Sequence, residues 1–129
     1  MTGLLRSATL AAALGLAGPA AADHFTSIDL GGVNDQESCI ARAQAAFDAY
    51  AATYGQAAST SRGTWTISGW DLPPLSADVT VLCVEVGGVW NAFATGHAPG
   101  EGPPADQMVE QIRDFFVSPP TGGGGSGFK

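Results

Sequence analysis

The chain has 129 residues, 45% apolar and 13% charged, with 12 acidic against five basic side chains and a formal net charge of −7. That length suits one domain rather than two. The acidic balance repels polyphosphate, so nucleic acid and anionic lipid surfaces are poor partners.

Met1–Ala22 reads as a cleavable export signal. Arg6 supplies its positive charge, Ala8–Leu16 its apolar run, and Ala20 and Ala22 the small residues of the cleavage rule. The apolar run is about ten residues, half of what a membrane span needs. Cleavage would make Asp23 the N-terminus. Losing Arg6 from a chain of −7 leaves −8. The short, alanine-rich form points to the periplasm or secretion, with no membrane insertion once the signal is removed.

Asp23–Leu30 is weakly strand-like and is expected to stop at Gly31-Gly32. Asn34–Tyr54 has the periodicity of a helix, with Asn34 as its cap and Glu37 reaching back in a capping box. Ile40, Ala43, Phe47, Tyr50, Ala51 and Tyr54 form its apolar stripe. Cys39 lies beside that stripe, and Arg42 and Asp48 fall off it, toward solvent. Gln56–Arg62 reads as a loop.

Gly63–Asp71 alternates as a strand, with Trp65, Ile67 and Gly69 on one face and Thr64, Thr66, Ser68 and Trp70 on the other. Pro73-Pro74 ends it. Ala77–Val86 is the central strand: Val79, Val81, Cys83 and Glu85 face one way, and Thr80, Leu82, Val84 and Val86 the other. The Gly87-Gly88 pair suits a tight hairpin turn, and Val89–Thr95 returns as the partner strand. Gly96–Pro103 reads as a loop. Pro104–Val117 is a second helix, with Met108, Val109, Ile112, Phe115 and Phe116 buried. The segment 119–129 reads as a flexible Pro/Gly tail.

The order (β)-α-β-β-β-α predicts an α+β domain over residues 23–118. A small antiparallel sheet of three to four strands would carry both helices on one face. The cysteines, Cys39 on a helix and Cys83 mid-strand, are expected to form a disulfide, as two cysteines in an exported chain usually do. Closing a loop of about 45 residues would be worth about 4 kcal/mol. The bond would also fix the Cys83 face as the helix-facing one.

That assignment leaves Leu82, Val84 and Val86 on the outer face, an apolar patch that needs a cover. The N-terminal segment Asp23–Leu30, the proline loop Leu72–Leu75, a second copy of the chain, a protein partner and a small apolar ligand all compete for it.

Catalytic signatures are weak. No G-x-S-x-G turn and no zinc-type cysteine spacing occurs, and no cofactor is implied. His97 is expected in an exposed loop. Glu85 is expected either in water at the strand end or paired with Arg42, Arg62 or Arg113. His24, close to the expected N-terminus, is a weak copper ligand candidate with the terminal amine. The expectation is a non-enzymatic binding domain. The alternative is a small exported enzyme, or a weak copper protein, using His24, His97 or Glu85.

Overall fold

The computed structural model describes residues 23–100 and 104–119. The expected signal segment and nearly all of the expected tail therefore lie outside the described residues. The elements are β1 (His24–Val33), α1 (Gln36–Ala52), β2 (Thr60–Arg62), β3 (Thr66–Leu72), β4 (Ala77–Val86), β5 (Val89–Ala98) and α2 (Pro104–Val117). All five strands form one antiparallel sheet in the order β1-β5-β4-β3-β2. The class is the α+β expected, but the sheet has five strands, not three to four.

Each extra stretch of sheet has a local cause. β1 runs through Gly31-Gly32 instead of stopping there. The register slips between Asp29 and Gly31. Gly31 takes φ 93°, and its N–H donates to Asp29 Oδ1 at 2.7 Å. The glycine absorbs a bulge that a side chain would resist. β2 is only three polar residues against β3, too short to show alternation. β5 continues through Gly96 and His97 to Ala98, so His97 is a strand residue and not a loop one. β4 and α2 have the limits the sequence implies.

α1 begins one residue later than the cap expected from Asn34. Asp35 is the cap: its carboxylate accepts from the Ser38 N–H at 2.7 Å. Ser38 Oγ accepts from the Asp35 N–H at 3.2 Å, which completes a capping box. Glu37 instead accepts from Arg62 at 2.7 Å. Both helices lie on the Cys83 side of the sheet, α2 mainly over β1 and β5 and α1 over β3 and β4. Val79, Val81, Cys83, Ala92 and Ala94 beneath them are fully buried, with Phe47, Tyr50, Met108, Val109, Ile112 and Phe116 above.

Close approach depends on two glycines. A Cβ on Gly96 would stand 2.7 Å from Val109 Cγ1 and 2.9 Å from the Ala105 carbonyl oxygen. One on Gly69 would stand 2.8 Å from the Phe47 ring. Ala92, Ala94 and Ala98 keep the rest of β5 low enough for α2 to settle.

Arg42 does not point into solvent as its position suggests. Its Nε donates to the Phe116 carbonyl at 2.6 Å and its Nη2 to the Val117 carbonyl at 3.1 Å. The guanidinium lies 4.9 Å from the Phe116 ring centroid. A cation on the last carbonyls of α2 satisfies orphan acceptors and opposes the negative end of the helix dipole. On the other side of the core, Tyr50 donates its hydroxyl to the Pro73 carbonyl. Burial is the main cause that pushes the Tyr50 phenol well above its usual range.

Cys39 and Cys83 are bonded, with their Cα atoms 6.1 Å apart. The bond joins α1 to the centre of β4, and both residues are fully buried. Cys39 is thus turned further inward than its place beside the helical stripe implies. A disulfide of this kind suits an oxidising compartment outside the cytosol.

Two stability changes follow. Replacing both cysteines by alanine is expected to lower unfolding free energy by about 4 kcal/mol, read as a shift in urea midpoint under non-reducing conditions. Gly96→Ala should cost about 1–3 kcal/mol by overpacking against the α2 backbone. Gly87→Ala, where an added Cβ meets nothing within 4 Å, serves as the contrast. It carries only the strain of a residue at φ 63°, about 1 kcal/mol.

Candidate functional site: the open sheet face

With the helices on one side, the other side of the sheet carries no helix or strand among the described residues. Strand register fixes its pattern. Ser27, Thr95, Thr80, Ser68 and Ser61 fall in one row, one from each of the five strands. Two of the four neighbouring pairs are linked, Ser27 to Thr95 at 2.9 Å and Ser68 to Thr80 at 2.8 Å. Ser61 Oγ accepts from the Trp70 indole N–H at 2.9 Å. No single strand reveals this row, because it exists only once the register is known.

Toward the Gly87-Gly88 turn the face becomes apolar. Leu82 stands opposite Phe93, Val84 opposite Asn91 and Val86 opposite Val89. Leu82 is 38% exposed, Phe93 37%, Val86 63% and Val89 57%. Val84 is half-buried. The aromatic member of the patch is Phe93. Trp70 shares the face but lies across the hydroxyl row, and Trp90, opposite Glu85, belongs to the helix side.

Neither expected intramolecular cover lies over the patch. Asp23–Leu30 is not laid across the sheet, because β1 is its edge strand, paired in plane with β5. The proline loop is drawn toward α1 by the Tyr50–Pro73 hydrogen bond. The residues proposed from sequence as a binding face therefore present partly exposed apolar side chains on a sheet with no described element above it.

The two histidines sit at the opposite end of the sheet from this patch. His97 stacks on Phe25 with ring centroids 4.6 Å apart. Its Nε2 is 3.5 Å from Asp23 Oδ2 and its Nδ1 is 3.7 Å from Asp78 Oδ2. The Nε2 atom is buried and has no hydrogen-bond partner among the described residues. His24 Nε2 lies 3.2 Å from Asp106 Oδ1, at the start of α2. Its side chain is thus engaged with the protein's own helix.

Glu85 is exposed at the far end of β4, and among the described residues it has no ion-pair partner. Its three suggested partners, Arg42, Arg62 and Arg113, bind the end of α2, Glu37 and Glu110. Asp78, beside His97, is seven residues along β4 from Glu85, about 23 Å at a strand's rise. The structure therefore does not bring His97 and Glu85 into one site. Among the described residues no three His, Cys, Asp or Glu side chains converge as metal ligands.

A shallow cleft of about 280 Å³ opens on the helix side, lined by Gly32, Val33, Asn34, Ser38, Arg42 and Pro119. Its one charged side chain, Arg42, is already held by α2. No family model, curated protein or solved structure matches the chain, so its own geometry carries the functional reading.

The Thr26 hydroxyl and the His24 imidazole hold the Asp106 carboxyl below its usual value of 3.8. A carboxyl lowered on folding adds stability above that value and loses it as pH falls through the folded pKa. Asp106→Asn should therefore be less stable than wild type near neutrality. The gap should close as the solution is acidified below pH 3.8, measured by urea unfolding along a pH series.

Proposed function

We propose that the chain is an exported, periplasmic or secreted, non-enzymatic domain that binds another protein surface through its open sheet face. The observation that carries this reading is the run Leu82, Val84 and Val86 with Phe93 and Val89, apolar and partly exposed on a sheet whose other side is already filled by two helices. A single-layer sheet normally turns polar side chains outward. Here one half follows that rule with a row of hydroxyls, and the other half departs from it.

A flat face favours a macromolecular occupant. Small ligands are held in concave sites that bury most of their surface, and this patch lies on a sheet surface. A protein surface can instead cover a flat strip of aliphatic and aromatic residues, with the hydroxyl row and Asp29 at its polar rim. The partner is a second copy of this chain or another exported protein. The disulfide supports the compartment, since such a staple persists where thiols are not kept reduced.

The test compares wild type with Leu82→Lys/Val86→Lys. Sedimentation velocity over a range of concentrations reads self-association. Retention of periplasmic proteins on the immobilised domain reads any other partner. The double variant should keep its urea midpoint, with a change of about 1 kcal/mol or less because both positions are exposed. Association should weaken by about tenfold or more if the patch is the centre of the interface. Equal association in both proteins, or none in either assay, would overturn the reading.

A further inference from the structure

The helix-side surface at the same end of the sheet holds a second, separate feature. Glu85 stands directly opposite Trp90 across β4 and β5. The Trp65 carbonyl accepts from the Cys83 N–H at 2.7 Å. Strand alternation then puts Trp65, Cys83, Glu85 and Trp90 on one face. The two indoles lean together over β4, with centroids 6.0 Å apart and planes tilted by 31°. Trp65 is still 48% exposed, so this pair offers ring surface to solvent.

From this we infer that Trp65, Trp90 and Glu85 form a docking subsite for an arginine side chain of a partner protein. Three observations converge on that chemistry. The indole face carries the negative side of the ring quadrupole and attracts cations, tryptophan more strongly than any other residue. Glu85, beside it, is an exposed carboxylate with no ion-pair partner among the described residues. The basic side chains among the described residues, Arg42, Arg62 and Arg113, are each committed elsewhere. A chain of net charge −7 also draws cationic surfaces toward it.

Arginine fits better than lysine. Its guanidinium is planar and weakly hydrated, stacks on aromatic rings, and presents a fork of N–H donors that matches a carboxylate. A lysine ammonium is more strongly hydrated and has no flat face for the tilted rings. The subsite lies on the opposite side of β4 from Leu82, Val84 and Val86, so it stands or falls independently of the sheet-face reading.

The three tryptophans provide an internal control, because Trp70 lies on the other face, bonded to Ser61. The isotopically labelled full chain is titrated with the capped peptide acetyl-Gly-Arg-Gly-amide and with its uncharged citrulline counterpart. The indole N–H signals are followed by NMR. Trp65 and Trp90 signals should move while the Trp70 signal stays. The citrulline peptide should bind about fivefold more weakly, the size of one exposed cation–π contact. Glu85→Gln, at an exposed position where folding is not at stake, should weaken the arginine peptide about threefold. Trp70 moving as far as the others, equal affinity for citrulline, an unaffected Glu85→Gln variant, or no shift up to about 10 mM peptide would each overturn the assignment.

Discussion

The bond between Cys39 and Cys83 decides which way the sheet faces. An antiparallel strand with apolar residues on both sides, as β4 has, can pack either side against a helix. Tying Cys83 to the first turns of α1 removes that choice. Val79, Val81 and Cys83 turn inward together, and Leu82, Val84 and Val86 must turn outward with them. The small residues of β5 complete the arrangement. Ala92, Ala94 and Gly96 leave a shallow floor on which α2 can lie beside α1, and Arg42 of α1 then reaches the exposed carbonyls that end α2.

Much of this architecture was legible in the residues. The limits of β4 and α2, the diglycine hairpin, the inward set of β4 and the disulfide all rest on strong local signals: period-two or helical apolar spacing, Pro104 at a helix start, and two cysteines on facing elements. What was missed depended on pairing. β2 has too few residues to alternate, and β1 reads as ending at Gly31 because a diglycine usually marks a turn. The bulge that carries β1 onward is visible only against β5. Arg42 was misplaced for a related reason. Its helical angle points away from α1's own stripe, and the second helix that makes use of it lies far along the chain.

The outer face shows the same division. Its aliphatic residues were legible from the alternation of β4. The five-residue hydroxyl row was not, since each strand contributes a single Ser or Thr and only the register aligns them. His97 moved from an expected loop into β5 because Gly96, read as a breaker, is instead the point where α2 comes closest to the sheet. The two ends of the sheet thus differ in character: both imidazoles lie at one end, and the exposed aliphatics with Trp65, Trp90 and Glu85 at the other.

The strand order also constrains how the chain can fold. β2, β3, β4 and β5 follow one another as neighbours, but β1 pairs only with β5. The first strand must therefore wait until the chain has been made as far as Ala98 before it finds its partner. Closing that long loop is slow compared with forming the hairpins. The β2–β5 meander can pair strand by strand, and the β1–β5 ladder completes the sheet last.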